Sequence, residues 1–64
     1  MAEKIPAELS AALARDAALQ QTFAAMSPSH RREYVRWVAE AKRASTRTAR
    51  AEKALTMIAE RARA

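Results

Sequence analysis

The sequence has 64 residues and a formal net charge of +5, so it is long enough for one domain at most. Half of the residues count as hydrophobic, but 18 of them are alanine, which leaves few large side chains for a core. Cysteine and glycine are both absent, which excludes disulfides, thiolate metal sites and glycine-rich phosphate loops. No stretch approaches the ~20 apolar residues of a membrane span, and we expect a cytoplasmic protein.

A first short helix is predicted over residues 6–14. Pro6 suits the first position of a helix, where the missing N–H of proline needs no partner. Apolar side chains recur every four residues, at Ile5, Leu9 and Leu13. This spacing places them on one face, which we expect to face the core.

A second helix is predicted over residues 17–26. Asp16 is a good N-cap, because its carboxylate accepts hydrogen bonds from the unpaired backbone N–H groups of a first turn. Leu19, Phe23 and Met26 follow at spacings of four and three, so they share one helical face. One kinked helix that runs through both segments is the alternative interpretation.

The clearest helix start is Ser27-Pro28, a favourable N-cap followed by proline at the first helical position. We predict the third helix over residues 28–43, where basic residues in the last turn complement the helix dipole. Its apolar face, with Val35 near the border, is expected at the centre of the core. That face consists of Tyr34, Trp37, Val38 and Ala41.

The fourth helix is predicted over residues 46–62, with Ser45 or Thr46 as its N-cap. Its apolar residues, at spacings of four, three and four, are Ala51, Leu55, Ile58 and Ala62. The four segments together predict an all-α fold, a small orthogonal or partly open bundle of about four helices. We expect a single helical domain over residues 1–64, with frayed ends at 1–4 and 63–64.

The predicted core is small, and its members are Leu9, Leu13, Leu19, Phe23, Tyr34, Trp37, Val38, Leu55 and Ile58. Since so few large side chains are available, two sources of extra stability are considered. Either the helices approach closely through alanine faces, or a partner or second copy contributes.

The sequence offers little for catalysis. An active site needs several convergent groups, yet His30 is the only histidine and Asp16 the only aspartate. Ser27 and Ser29 flank a helix start, where capping explains them. Because no group of histidine and acidic residues has the spacing of metal ligands, we expect no enzyme, no cofactor and no metal site.

The most distinctive stretch, residues 27–37, reads Ser-Pro-Ser-His-Arg-Arg-Glu-Tyr-Val-Arg-Trp. It is accompanied by Pro6-Ala7-Glu8-Leu9, Leu13, Ala24 to Met26, Glu40-Ala41-Lys42, Thr46-Arg47 and Arg50. This pattern resembles the C-terminal helical domain of the YdeI/OmpD-associated family, also called bacteriocin-protection proteins. The similarity covers nearly the whole chain, residues 5–60.

The resemblance implies a non-enzymatic interaction module that binds a partner protein or a second copy of itself. It also implies a link to an outer-membrane porin and to tolerance of bacteriocins or cationic antimicrobial peptides. In many members a larger β-containing domain precedes the helical one, and this sequence holds only the helical part.

Basic residues are concentrated in the second part of the chain. Residues 27–64 carry ten basic and four acidic side chains, whereas residues 1–26 carry two basic and three acidic ones. Such asymmetry is typical of a surface for an acidic partner, although solvated helix faces give the same pattern. The candidate interaction surface consists of Ser29, His30, Arg31, Arg32, Arg36, Arg47 and Arg50.

Two interpretations of these arginines are open. They bind a partner, or Arg31, Arg47 and Arg50 form ion pairs that join the third and fourth helices. The alternative function is nucleic-acid binding, through non-specific phosphate contacts of the arginines on the third helix.

Overall fold

The structure is a computed structural model that describes residues 4–63. Its helices are α1 (Ala7–Ala14), α2 (Ala17–Ala25), α3 (Pro28–Ala39) and α4 (Ala44–Arg63). No strand occurs within this range, which confirms the predicted all-α fold of four helices. None of these helices is long and apolar enough to cross a membrane. The predicted frayed ends fall mostly outside the described range, and α4 is helical through its last described residue.

Local capping signals set the breaks between the first three helices. The Asp16 carboxylate accepts hydrogen bonds from the backbone N–H groups of Ala18, at 3.1 Å, and Leu19, at 3.2 Å, so α1 and α2 are separate helices. Ser27 Oγ accepts a hydrogen bond from the His30 N–H at 3.3 Å, and Pro28 begins α3 as predicted. Pro6 lies one position earlier than expected, at the N-cap of α1 rather than inside the helix.

The turn between α3 and α4 differs from the prediction, because α3 ends four residues earlier and α4 begins two residues earlier. Ala41 is 6% exposed, and its carbonyl and the next one accept hydrogen bonds from the Arg47 side chain. The Arg47 N–H bonds to the Arg43 carbonyl at 3.0 Å, so Arg43 immediately precedes α4. The predicted caps, Ser45 and Thr46, are therefore wrong, since both lie in the first turn of α4. Hydrogen bonds from the Arg47 side chain to these two carbonyls, rather than a capping side chain at the start of α4, hold this turn.

The long helix α4 organises the bundle, because it packs against each of the other three helices. The buried core consists of Leu9, Ala12, Leu13, Phe23, Tyr34, Val35, Val38, Ala51, Ala54 and Ile58. Three of these ten residues are alanine, which lets helix backbones approach closely where large side chains are scarce. Of the predicted core members, Leu19 and Leu55 are only partly buried and lie against this cluster.

The orientation of α3 also differs from the prediction. Trp37 was expected at the centre of the core but is only partly buried, whereas Val35, expected at the border, is 8% exposed. The rings of Tyr34 and Phe23 meet edge-on, with centroids 6.5 Å apart. This contact with α2 fixes the rotation of α3 about its own axis, so that Val35 faces the core. Trp37 then lies at the boundary between core and solvent, where Arg50 lies over its ring.

Candidate interaction surface

Arg31, in the first turn of α3, holds the end of α2. Its guanidinium donates hydrogen bonds from Nη1 to the carbonyl oxygens of Ala24, at 3.2 Å, and Met26. The last carbonyls of a helix carry partial negative charge and have no partner within the helix, so a cation stabilises them. Arg31 therefore bridges the helix break that precedes Pro28.

Arg47 joins α4 to two other parts of the fold. Its Nε donates a hydrogen bond to Glu8 Oε2 of α1 at 3.1 Å, and Nη1 donates to the carbonyls of Ala41 and Lys42 at 3.0 Å each. The pKa of Glu8 lies below its ordinary value, because the carboxylate accepts a hydrogen bond from its own backbone N–H and a second one from Arg47. These contacts give Arg47, a member of the candidate interaction surface, a structural role within the fold.

Arg50 fastens α4 to the end of α3. Its Nη1 donates a 2.7 Å hydrogen bond to the Trp37 carbonyl, and its guanidinium carbon lies 5.4 Å from the centre of the indole ring. A cation over an indole face is attracted by the ring electrons. Glu40 adds an ion pair at 3.8 Å, although its side chain is 68% exposed and the pair is therefore weak.

His30 contacts an arginine that is not part of the candidate interaction surface. Arg61, in the last turns of α4, places Nη2 at 3.1 Å from Nε2 and 3.4 Å from Nδ1 of the imidazole. One nitrogen cannot point along the in-plane lone pairs of both ring nitrogens, so this contact has the character of stacking on the ring rather than of a single hydrogen bond. The contact depends on the antiparallel packing of α3 and α4, which no local pattern reveals.

The other three residues of the candidate interaction surface are exposed. Ser29, Arg32 and Arg36 lie on the outer side of α3, and their side chains make no hydrogen bond or ion pair with any other residue between 4 and 63. The structure thus separates the predicted surface into two groups. Arg31, Arg47 and Arg50 make contacts within the fold, mainly with backbone carbonyls, while Arg32 and Arg36 extend into solvent.

The outer face of α3 is less uniformly basic than the arginines alone suggest. Glu33 is also exposed on α3 and Glu40 is exposed at its C-cap, so these acidic residues alternate in sequence with Arg32 and Arg36. Opposite charges therefore lie within one helical turn of each other. A face of alternating sign does not match the continuous negative charge of a phosphate backbone.

Within residues 4–63, no group of three or more His, Cys, Asp or Glu side chains is placed to hold a metal ion. Open grooves lie elsewhere on the surface. One of about 320 Å³ between α1 and α2 is lined by Ile5, Leu13 and Phe23, among others. No titratable residue besides Arg31 lines it, and it presents no arrangement of acid, base and nucleophile.

Comparison with known proteins identifies the family. Residues 3–61 match the family model described as bacteriocin-protection, YdeI or OmpD-associated. No curated protein and no solved structure gives a significant match. The match includes all four helices up to the next-to-last described turn of α4, and thus both the buried core and the arginines that hold it together. The chain therefore belongs to the bacteriocin-protection, YdeI or OmpD-associated family.

Proposed function

We propose that this chain is a non-enzymatic, cytoplasmic interaction module that binds a partner protein through the exposed outer face of α3. Membership of the bacteriocin-protection family supports a role in tolerance of envelope or antimicrobial-peptide stress. The contact residues in this proposal are Ser29, Arg32 and Arg36.

One observation carries the proposal. Arg47 and Arg50 bond within the fold, whereas Arg32 and Arg36 have no carboxylate within 4 Å among residues 4–63. These two arginines lie one turn apart, and each presents a planar fork of N–H donors that binds a carboxylate in bidentate geometry. The guanidinium is weakly hydrated, so its desolvation on binding costs less than that of a lysine ammonium. The interleaved Glu33 favours a protein partner with charges of both signs over nucleic acid.

The experiment is a capture assay with the full chain and a lysate of the source organism, in which protein and nucleic acid in the eluate are measured separately. The double variant Arg32→Ala/Arg36→Ala is compared with Arg15→Ala/Arg63→Ala, which removes the same charge from other exposed surfaces. Loss of a specific protein only in the first variant, with an unchanged melting temperature, supports the proposal.

Two results would overturn it. In the first, the same protein is retained by both double variants. In the second, the eluate holds nucleic acid alone, and retention falls steeply with salt, as counterion release requires. That second result would favour the alternative, non-specific phosphate binding by the arginines of α3.

A further inference from the structure

A second set of exposed and partly buried side chains lies where α3 and α4 meet. We define the α3–α4 seam as the edge formed by His30 and Trp37 of α3 with Arg50, Met57 and Arg61 of α4. Arg61 contacts His30 at one end, and Arg50 covers Trp37 at the other. Met57 is seven residues after Arg50 and four before Arg61, so it lies between the two arginines on the same edge of α4.

The side chains of the seam are those that protein interfaces favour. Met57 has 38% of its surface exposed, and Trp37 is only partly buried. Methionine, tryptophan and arginine are enriched at the centres of interfaces, because they bury a large contact area and combine apolar and polar contacts. One exposed methionine is ordinary, but Met57 lies between two arginines that cover rings, unlike Ile5, the other exposed large hydrophobic residue between positions 4 and 63.

Charge at the seam indicates the chemistry of the partner. Arg61 contacts an imidazole rather than a carboxylate, and Lys53, four residues before Met57, has no carboxylate within 4 Å among residues 4–63. Among residues 4–63, Arg50 forms an ion pair only with the exposed Glu40, at 3.8 Å, and water or another acidic group can replace this partner. The seam therefore presents an apolar centre with the positively charged Arg50, Lys53 and Arg61 beside it.

On the basis of the interaction function proposed above, we infer that the α3–α4 seam binds an acidic amphipathic segment of the partner protein. An apolar side chain of that segment packs on Met57 and the exposed part of Trp37. Carboxylates on either side of it pair with Arg61 and Arg50. Methionine suits this contact because its unbranched, polarizable side chain adapts to the shape of the group that covers it.

Trp37 is the only tryptophan of the chain, so its fluorescence reports directly on the seam. The full chain is titrated with a synthetic peptide that carries leucine and glutamate at helical spacing. Matched peptides replace every glutamate by glutamine or every leucine by alanine, and a short DNA duplex is the nucleic-acid probe. We expect the Leu/Glu peptide to shift the Trp37 emission to the blue and both matched peptides to bind at least about tenfold more weakly.

Two variants locate the contact, each with a matched control. Met57→Ala and Arg61→Gln should each weaken binding of the Leu/Glu peptide about tenfold, as truncation of a central interface residue does. Ile5→Ala removes the other exposed large hydrophobic residue, and Arg63→Gln removes a charge two residues away on α4, so both controls should bind normally. Melting curves accompany every variant, and if Met57→Ala is unstable, the comparison of Arg61→Gln with Arg63→Gln decides.

The proposal that the α3–α4 seam is a binding site is contradicted if the Leu/Glu peptide does not bind at a peptide concentration of about 1 mM, which is a weak limit for a specific contact. Equal binding by the seam variants and their controls, or tighter binding of the duplex, overturns it as well. The lysate assay separates the two proposals. Capture that depends on Arg32 and Arg36 but not on Met57 and Arg61 leaves the proposed function standing without the seam, whereas capture that depends on neither pair refutes both.

Discussion

Replacement of Arg47 by methionine should destabilise the fold more than any other change of an arginine on its surface. Methionine keeps the length and apolar contacts of the side chain but removes the hydrogen bonds to the carbonyls of Ala41 and Lys42, at 3.0 Å each, and the ion pair with Glu8. The Ala41 carbonyl belongs to a residue that is 6% exposed, so water replaces the lost donor poorly. We expect the two carbonyl contacts alone to be worth about 2–3 kcal/mol, since each involves a charged donor.

This loss is large for a chain of 64 residues, because such a domain has a free energy of unfolding of only about 3–10 kcal/mol. The melting temperature should fall by about 10–20 °C. Circular dichroism at helical wavelengths, during heating and during urea titration, measures both quantities. The size of the effect follows from the position of Arg47, which holds the turn between α3 and α4 in addition to pairing with α1.

Two comparison variants isolate the cause. Glu8→Gln removes only the ion pair, which lies near the surface, and should destabilise the chain less than Arg47→Met. Arg36→Met removes an exposed guanidinium that has no hydrogen bond or ion pair with residues 4–63, and should leave the free energy of unfolding nearly unchanged. Equal destabilisation by Arg47→Met and Glu8→Gln, or a value for Arg47→Met as small as that for Arg36→Met, would show that the carbonyl contacts do not hold the turn.

Three further predictions concern the core, a helix cap and pH. Ile58→Ala should lower the free energy of unfolding by about 2–4 kcal/mol in a urea titration, because Ile58 is 0% exposed, and a loss below 1 kcal/mol would contradict that burial. Ser27→Ala should cost about 1 kcal/mol and Ser27→Gly only a few tenths, since glycine is tolerated as an N-cap; an unchanged stability of Ser27→Ala would contradict the role of Ser27 Oγ in holding the start of α3. The pKa of Glu8 is lower in the folded chain than its ordinary value of 4.5, so its contribution to stability is present above that pH and is lost as pH falls through the lowered pKa. The melting temperatures of the wild type and Glu8→Gln should therefore differ at about pH 6 and converge near pH 2, and a constant difference would contradict the linkage.

Local signals in the sequence determine where α2 and α3 begin. Asp16 and Ser27 are side chains that accept hydrogen bonds from a first turn, and Pro28 suits a first helical position. These preferences depend on neighbouring atoms of the chain alone, which is why the breaks after α1 and α2 agree with the structure. Periodicity likewise identifies Leu9, Ile58 and other core residues, because a helix places residues three and four apart on one side.

The rotation of α3 and the end of that helix are decided by tertiary contacts. Helical periodicity gives the direction of an apolar face only to within a wide arc, and both Trp37 and Val35 lie near the edges of that arc. The contact of Tyr34 with Phe23 and the position of Arg50 over Trp37 select one rotation. Each of these contacts joins residues of two different helices, so the spacing of apolar residues within one helix does not reveal it.

For the candidate interaction surface, too, some features follow from the sequence and others only from the fold. The sequence by itself identifies the concentration of arginines after Ser27 and the family pattern that includes them. Only the tertiary structure distinguishes Arg47, bonded to carbonyls 3.0 Å away, from Arg36, which stands in solvent. The sequence alone does not show whether a carbonyl, a carboxylate or water surrounds an arginine, because its partners depend on how the chain folds; Glu8, for example, lies 39 positions from Arg47.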